Sequence, residues 1–458
     1  MKSFTLLSAL AALGAVSASP TKSLSVRPSK RASTLPQVSA SGNAFWADGK
    51  RFYIRGIDYQ PGGDAAGIDP LADKEICTRD IKKFKDLGVN TIRVYTVDNT
   101  ANHDDCMKAL DEAGIYLVVD VNTAKYSLNR GRADWAYLSY NAAYLQNVFA
   151  TVSEFAQYDN TLAFFSGNEV ISEKEQYYTA PYIKAVTRDI KAFIKARKLR
   201  QVPVGYSAAD VDENRIQTAK YMNCGPDDVR SDFFAFNDYS WCSTSFTKSG
   251  WDKKVETFKD YGLPLFLSEY GCIENPPRDF GEVKALMSPD MTGVYSGGLM
   301  YEYSYEANKY GIVNLSGEKG QGDAEERDEY DSFKKALKDN PAPTGDGGAA
   351  KQSKSQDCPG SSEYWDVDAT KLPAMPEEAE KYMKGTEPKG AGLDTKEGSQ
   401  TDGDSGLSTK NVTVDGVKGG SSNSSSDDDG DSAAVAMHGS AFTAVLAVIA
   451  AVAGSALL

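Results

Sequence analysis

The chain has 458 residues and carries 50 lysines and arginines against 64 aspartates and glutamates, which gives a net charge of −14. This acidity argues against nucleic acid or an anionic surface as a partner. The sequence contains two histidines, His103 and His438. His438 lies in a tail that we expect to be removed, so this scarcity of histidine argues strongly against a Ser-His-Asp triad and against a multi-histidine metal site. We expect neither a metal ion nor another cofactor.

The N-terminus is typical of a secreted protein. Lys2, the apolar run from Phe4 to Val16 and the small pair Ser17-Ala18 predict a signal peptide over residues 1–18; a buried N-terminal helix is the alternative. Residues 19–36 form a leader, in which Lys30-Arg31 is either a dibasic processing site or an unprocessed turn. Secretion agrees with six cysteines, which predict disulfide bonds without fixing their pairing.

Between residues 37 and 340 eight apolar runs of strand length alternate with helical patterns. This alternation predicts one α/β domain, a (β/α)8 TIM barrel, with a doubly wound open sheet as the alternative. Periodicity is weak in the helices after the fifth and seventh strands. The predicted strands are Phe52–Tyr59, Thr91–Thr96, Ile115–Asn122, Thr161–Glu169, Val202–Asp210, Phe233–Tyr239, Pro264–Gly271 and Gly297–Ser304. The clearest helices are Arg79–Leu87, Asp104–Ala113, Tyr140–Tyr158, Ala180–Lys198 and Trp251–Tyr261.

After residue 340 the composition turns to Gly, Pro, Ser, Lys and Asp. Residues 341–383 still contain Tyr364, Trp365 and Tyr382, so this segment is predicted to pack on the barrel. Residues 384–432 lack aromatic side chains and end in a Ser/Asp-rich stretch, which predicts a disordered linker.

The C-terminus is typical of a lipid-anchor signal. Small residues from Ser421 to Ser432, a short spacer and the apolar tail from Ala441 to Leu458 predict a GPI-anchor signal over residues 433–458. A permanent transmembrane helix is the alternative, but no Lys or Arg follows the tail. We expect a secreted protein that is GPI-anchored at the outer face of the plasma membrane, with the cell wall as the alternative location. Glycosylation sequons begin at Asn314, Asn411 and Asn423.

Polar residues stand at the ends of the predicted strands, where the active sites of TIM barrels lie. A single acid at such a position is most simply a solvated strand end. Two glutamates on strands 4 and 7, with tyrosines on other strand ends, favour an active site over solvated strand ends. These strand-end residues are Asp58, Tyr59, Gln60, Tyr95, Asp120, Asn122, Asn168, Glu169, Asp210, Asp238, Tyr239, Glu269, Tyr301, Glu302 and Tyr303.

Two carboxylates that face each other across a barrel mouth suit the chemistry of glycosidic bonds. One must be protonated to expel the leaving oxygen, while the other attacks or activates water. We predict Glu169 as acid/base and Glu269 as nucleophile, although chemistry alone permits the reverse. Asn168 can hold the sugar 2-hydroxyl beside Glu169. The surroundings must raise the pKa of the acid and keep the nucleophile ionised.

Five motifs together resemble the fungal β-1,3-glucanosyltransferases of glycoside hydrolase family 72, over about residues 37–383. The resemblance implies a retaining enzyme that cleaves an internal β-1,3-glucan bond and passes the new reducing end to the non-reducing end of another glucan chain, which elongates cell-wall glucan. A retaining β-1,3-glucan endohydrolase and an inactive wall-binding protein are the alternatives. The motifs are RGIDYQPGG at Arg55–Gly63, IRVY at Ile92–Tyr95, FSGNEV at Phe165–Val170, LSEYGC at Leu267–Cys272 and GLMYEYS at Gly298–Ser304.

Carried over onto these motifs, the resemblance implies the same roles for Glu169 and Glu269. It also implies disulfides Cys77–Cys106, Cys224–Cys358 and Cys242–Cys272. Some members of the family carry a cysteine-rich carbohydrate-binding module after the barrel, whereas here we expect the Ser/Asp-rich linker in its place. We expect a monomer whose partners are β-1,3-glucan donor and acceptor chains. The implied sugar-binding residues are Tyr95, Asn168, Asp210, Arg215 and Tyr301, with Gln60, Asp120 and Tyr239 as further contacts.

Overall fold

The computed structural model describes residues 33–63, 66–242, 245–317, 320–400, 406–408 and 410–417. The predicted signal peptide, the Lys30-Arg31 pair, the sequon at Asn423 and the predicted anchor signal lie outside these residues. Across the described part of the chain, the helices are too short or too polar to cross a bilayer.

A small antiparallel sheet precedes the barrel and was not predicted. It consists of β1 (Val38–Ser41), β2 (Ala44–Ala47) and β3 (Lys50–Phe52). Phe45 of β2 is fully buried, and its ring centroid lies 5.8 Å from those of Phe233 and Phe266 near the amino ends of the barrel strands. The sheet thus closes the end of the barrel opposite to the predicted site.

Eight parallel strands close into a barrel, so the TIM-barrel prediction is confirmed and the open-sheet alternative is wrong. An open sheet would leave two edge strands with unpaired backbones. No such edge is present in this sheet among the described residues, because the eighth strand pairs with the first. In chain order the strands are β4 (Ile54–Asp58), β5 (Thr91–Val94), β6 (Tyr116–Asp120), β7 (Thr161–Asn168), β8 (Val204–Ala209), β9 (Phe233–Asp238), β10 (Leu265–Tyr270) and β11 (Tyr295–Met300).

Capping residues define the ends of the first helix between the strands. Asp73 caps the first helix by accepting the N–H groups of Glu75 and Ile76, and Gly88 ends it with φ of 81°. The two helices with weak periodicity, α6 and α8, are short. The helices are α1 (Lys74–Leu87), α2 (Asp104–Ala113), α3 (Ala133–Ser139), α4 (Ala142–Phe155), α5 (Ala180–Ala196), α6 (Arg215–Asn223), α7 (Trp251–Phe258), α8 (Gly281–Leu286), α9 (Pro289–Thr292), α10 (Asp328–Asp339) and α11 (Glu380–Met383).

The segment 341–383 packs on the barrel, as predicted. A disulfide joins Cys358 to Cys224, and Trp365 is fully buried with its ring centroid 5.5 Å from that of Tyr221. The other two implied disulfides, Cys77–Cys106 and Cys242–Cys272, are also present. Two short antiparallel strand pairs complete the fold: β12 (Val313–Leu315) with β13 (Ala324–Glu326), and β14 (Lys371–Pro373) with β15 (Asn411–Thr413).

The prediction of a disordered linker from residue 384 is wrong for the described residues of that range. The N–H of Ala391 donates to Asn147 Oδ1 at 3.1 Å, and Asn141 Nδ2 donates to the carbonyl of Ser399 at 2.9 Å. β15 pairs antiparallel with β14, and Val414, the residue after β15, is buried. Side-chain amides on or next to α4 thus hold the backbone of this segment, which its aromatic-poor composition does not reveal.

Candidate active site

Both glutamates lie at the carboxyl ends of barrel strands where the strand pairing is irregular. Glu169 directly follows β7, and Glu269 is in β10. The register shifts between Phe165 and Asn168 on the β7–β8 ladder and between Leu267 and Glu269 on the β9–β10 ladder. Glu169 also has φ of 49°. Such irregularities turn a side chain away from its regular direction, here at the two predicted catalytic positions.

The carboxyl group of Glu269 receives three hydrogen bonds. Tyr95 Oη donates to its Oε1 at 2.8 Å, Arg93 Nη1 donates to the same oxygen at 3.1 Å, and the Tyr239 hydroxyl donates to Oε2. Burial raises the pKa of Glu269 to about 6, and neighbouring Glu169 adds to the rise, whereas Arg93 and the two tyrosines oppose it. Glu269 is therefore mostly ionised at neutral pH, as a nucleophile must be.

Arg93 organises this side of the site, a role that the sequence argument missed although the residue lies in a quoted motif. The side chain is fully buried. Its Nε and Nη2 bind the two oxygens of Asp120, each at 3.0 Å. Its guanidinium group lies between the rings of Tyr95 and Phe165, with distances to the centroids of 4.1 and 4.6 Å. A buried arginine with one bidentate partner and two aromatic faces is rigid, so it fixes the direction of Nη1 toward Glu269.

Glu169 has a different environment. Asn237 Nδ2 donates to Glu169 Oε1 at 2.8 Å and to Asn168 Oδ1 at 3.1 Å. Ser207 Oγ donates to Asn168 Oδ1 at 2.7 Å, and Arg130 donates to the backbone carbonyl of Glu169. The structure thus brings the predicted pair Asn168-Glu169 together with Asn237, which sequence reasoning missed. Asn237 is the penultimate residue of β9. This polar residue near a strand end is the sequence feature from which its place in the site could have been predicted.

Predicted Tyr239 and Tyr301 meet a third tyrosine, Tyr310, which was not predicted. The ring centroids are 6.0 Å apart for Tyr239 and Tyr301, and Tyr310 lies 5.4 Å from each. Tyr310 comes from the loop after β11, where no strand pattern marks it. Tyrosine rings with free edges can stack on sugar rings and bind hydroxyl groups, so this tyrosine cluster suits a carbohydrate beside Glu269.

Gln60 and Asp120 do not line the opening as predicted. Gln60 is 1 % exposed; its Oε1 accepts the backbone N–H groups of Tyr95 and Thr96 at 3.2 and 3.0 Å, and its Nε2 donates to the carbonyl of Ile68 at 2.8 Å. Asp120 is also 1 % exposed and binds Arg93. Both residues therefore position protein groups of the site, where sequence reasoning expected direct sugar contacts.

Asp210 and Arg215 form an ion pair with each other, and the pair continues into a network. Lys254 Nζ lies 2.6 Å from Asp210 Oδ2 and 2.5 Å from Asp238 Oδ2, while Arg215 Nε donates to Asp210 Oδ1. Burial alone raises the pKa of Asp210, but Arg215 and Lys254 together hold it below its ordinary value. Asp210 is therefore a carboxylate at neutral pH. Lys254, from α7, is a further residue that the sequence argument missed.

A polar cavity of about 290 Å³ opens beside Asn168. Its wall includes Asn122 and Asn129, Arg130 and, from the C-terminal segment, Gln400. Gln400 Nε2 donates to the carbonyl of Ala124 at 2.9 Å and to Ser127 Oγ at 2.7 Å. Amide and guanidinium groups in a cavity of this size fit the hydroxyl groups of a sugar.

Among the residues that the structure describes, one group of three potential metal ligands lies close together: Cys242, Cys272 and Glu274. The two sulfur atoms are joined in a disulfide. Thiolates, not disulfide sulfurs, are the usual metal ligands, so we assign no metal site to this group.

The model of glycoside hydrolase family 72, described as glucanosyltransferase, matches residues 27–340. The chain belongs to this family. It is 58% identical over 358 residues to the 1,3-β-glucanosyltransferase gel1 of Aspergillus fumigatus, with 78% of this chain and 77% of the relative covered. It is 48% identical over 373 residues to the 1,3-β-glucanosyltransferase GAS5 of Saccharomyces cerevisiae, with 80% and 75% covered.

Solved structures of another family member have the same fold. A glutamate-to-glutamine mutant of Saccharomyces cerevisiae Gas2p, in complex with laminaritetraose and laminaripentaose, superimposes with a TM-score of 0.69 at 33% identity, and 76% of each chain is covered. The family assignment that the five motifs indicated is therefore confirmed.

Proposed function

We propose that this member of the glucanosyltransferase family is a retaining transglycosylase that cleaves internal β-1,3-glucan bonds and transfers the new reducing end to the non-reducing end of another β-1,3-glucan, which elongates cell-wall glucan. One observation carries the proposal. Two glutamates, Glu169 and Glu269, lie at the carboxyl ends of β7 and β10 at one barrel mouth and have different hydrogen-bond environments.

The hydrogen bonds support a separate role for each glutamate. Arg93, Tyr95 and Tyr239 all donate to Glu269, which stabilises its ionised form and suits the nucleophile. Glu169 receives an amide hydrogen bond from Asn237. Because Glu269 takes the role of nucleophile, Glu169 is the carboxyl group left to act as acid/base.

The reaction then has two steps. Glu269 attacks the anomeric carbon, the bond to the leaving oxygen breaks, and the proton of Glu169 goes to that oxygen. The acceptor hydroxyl next loses its proton to the Glu169 carboxylate and attacks the anomeric carbon, which releases Glu269. If water replaces the acceptor, the glycosyl-enzyme is hydrolysed and the reaction ends in cleavage. Relatives that are named glucanosyltransferases favour transfer over hydrolysis.

Product sizing decides between transfer and hydrolysis. The enzyme is incubated with a reduced laminari-oligosaccharide, and the products are separated by length. Products longer than the substrate support transfer, whereas shorter products alone contradict it. Glu169→Gln serves as the control, because any product that this variant also makes comes from a contaminating activity.

We further propose that the protein is secreted, GPI-anchored to the outer face of the plasma membrane or passed to the cell wall, and monomeric. The small residues from Ser421 to Ser432 and the apolar tail from Ala441 to Leu458 support the anchor. Release of the enzyme from membranes by a phosphatidylinositol-specific phospholipase supports the anchor; retention after that treatment favours the transmembrane alternative. Light scattering measures the oligomeric state.

A further inference from the structure

Arg278 is a buried arginine whose charge is not balanced by an ion pair. The residue is 7 % exposed, and it forms no salt bridge with the carboxylates of the described residues. Its Nε also has no hydrogen-bond partner in this part of the chain. Burial of a charged group is costly unless its polar atoms are satisfied. The position therefore needs an explanation, which the proposed roles of Glu169 and Glu269 do not supply.

The other two nitrogens of Arg278 bind backbone carbonyl groups. Nη1 donates to the carbonyl of Tyr310 at 2.6 Å, and Nη2 donates to the carbonyl of Tyr301 at 3.1 Å. These tyrosines are the first and last residues of the segment 301–310, which follows β11. Because the guanidinium group is a planar fork with fixed donor directions, one side chain sets the distance between the two ends of this segment.

Phe280 and Gly271 lie against the guanidinium group of Arg278. The group lies over the ring of Phe280, 4.7 Å from its centroid. Gly271 directly follows β10 and has φ of 151°. A Cβ atom at this position would lie 2.4 Å from Arg278 Nη2 and 3.2 Å from the carbonyl oxygen of Tyr301. The glycine of the LSEYGC motif thus leaves the space through which Arg278 reaches the segment 301–310.

The two ends of this segment carry rings of the tyrosine cluster. Tyr301 and Tyr310 form the cluster with Tyr239, whose hydroxyl group donates to the proposed nucleophile. Asn308 Nδ2 donates to the Tyr301 hydroxyl at 3.2 Å, and Asn308 Oδ1 accepts the N–H of Tyr310 at 3.2 Å. Asn308 therefore ties the segment within itself, whereas Arg278 ties both of its ends to the chain that follows β10. A shift of either carbonyl group would move a ring of the cluster.

We propose that Arg278 is a positioning residue for glucan binding. By holding the carbonyl groups of Tyr301 and Tyr310, it sets the spacing of the tyrosine rings against which one sugar unit of the glucan packs. Arg278 is buried and acts through these rings. The inference rests on the proposed function, because the tyrosine cluster is taken as the platform for the sugar. Glucan binding without turnover tests it separately from transfer.

Binding without turnover is the first test. Glu169→Gln serves as the background, and the dissociation constant of laminarihexaose is measured by titration calorimetry with and without Arg278→Gln. A glutamine cannot bind both carbonyl groups as a charged fork, so the dissociation constant should rise about tenfold, on the scale of one lost hydrogen bond. Arg278→Lys keeps the charge but replaces the fork by a single ammonium group. It should also weaken binding, and it covers the case in which Arg278→Gln fails to fold.

Kinetics in the otherwise wild-type enzyme provide the second test. A platform that binds the sugar equally in the ground state and in the transition state affects KM and leaves kcat unchanged. Arg278→Gln should therefore raise the KM for donor cleavage about tenfold, with kcat within about threefold of the wild type. Tyr310→Leu removes one ring of the cluster. In that background Arg278→Gln should raise KM by less than about threefold, because its effect passes through the missing ring.

Arg200→Gln is the matched control. Arg200 Nη2 also binds two backbone carbonyl groups, those of Tyr158 and Thr161, at 2.7 and 2.8 Å. Thr161 begins β7, so these contacts lie at the amino end of the barrel, away from the tyrosine cluster. Arg200→Gln should lower the unfolding midpoint, as Arg278→Gln does, but it should leave KM and the dissociation constant unchanged.

An unchanged dissociation constant in Arg278→Gln, or a fall in kcat without a change in KM, would overturn the inference. So would an equal loss of binding in Arg200→Gln, because general destabilisation then accounts for both variants, and so would a KM effect that persists in full after Tyr310→Leu. If product sizing showed hydrolysis alone, the proposed transfer would fail, while laminarihexaose binding would still report on Arg278. If the Glu169→Gln background bound no laminarihexaose, the proposed function would fail and this inference with it.

Discussion

Removal of the Tyr239 hydroxyl should shift the pH dependence of the enzyme. Tyr239 donates to Glu269 Oε2, and this hydrogen bond holds the pKa of Glu269 down against its burial. A hydrogen bond to a charged group contributes about 1.5–3 kcal/mol, and one pKa unit corresponds to about 1.4 kcal/mol. Since other donors remain, we take the lower end, so Tyr239→Phe should raise the pKa of Glu269 from about 6 by about one unit.

The expected effect on activity follows from the ionised fraction of Glu269. Relative to the wild type, kcat/KM should fall about tenfold further at pH 5 than at pH 8, because the carboxylate form is rarer below the raised pKa. The assay is the rate of donor cleavage across this pH range. Tyr310→Phe is the matched control: its ring lies 5.4 Å from that of Tyr239, yet no hydrogen bond from its hydroxyl to Glu269 is present among the described residues. An acid limb that moves equally in both variants, or in neither, refutes the reasoning.

Three other predictions concern catalysis and stability. Glu169→Gln and Glu269→Gln should each reduce transfer by at least about 10³-fold with an unchanged unfolding midpoint, and a drop in the midpoint would assign them a structural role. Burial lowers the pKa of His103, but Asp69 and Glu154 outweigh it and raise the pKa to about 9. Because this folded-state pKa exceeds the unfolded value, protonated His103 should contribute up to about 3 kcal/mol to the unfolding free energy. That contribution should be fully present below about pH 6.5 and lost as the pH rises through about 9. His103→Gln should flatten that part of the stability profile, and a wild-type profile that is already flat contradicts the assignment. Asn147→Ala should lower the unfolding free energy by about 1–3 kcal/mol and speed proteolysis after residue 384; unchanged proteolysis would mean that the C-terminal segment is held elsewhere.

The barrel was predictable because its strands are apolar runs that end abruptly in polar residues. In the run from Thr161 to Glu169, for example, buried residues continue to the point where Asn168 and Glu169 emerge. The same rule located Glu269 and Tyr239. The N-terminal sheet was missed because β1 to β3 have three or four residues each, which is too short for a periodic pattern to be recognised.

The site residues that were not predicted are recognised only by contacts between residues that are far apart in the sequence. Arg93 is in a strand whose neighbours are all buried, and only the fold shows that Asp120, 27 residues later, balances its charge. Tyr310 and Lys254 come from a loop and a helix whose local patterns do not mark a site. Gln60 illustrates the opposite error. Its position at a strand end was predicted, but whether a long amide side chain turns to the opening or to a backbone is decided by the neighbouring loop.

The buried charges of this site explain why its chemistry is harder to predict than its location. Arg93 is the cation that acts on Asp58, Asp120 and Glu269, so the charge of each of these carboxyl groups depends on which donors the others already hold. Asp120 is satisfied by two guanidinium nitrogens, and Glu269 by Arg93 and two tyrosines. The burial that strengthens these interactions also raises the free energy of any further ionised group.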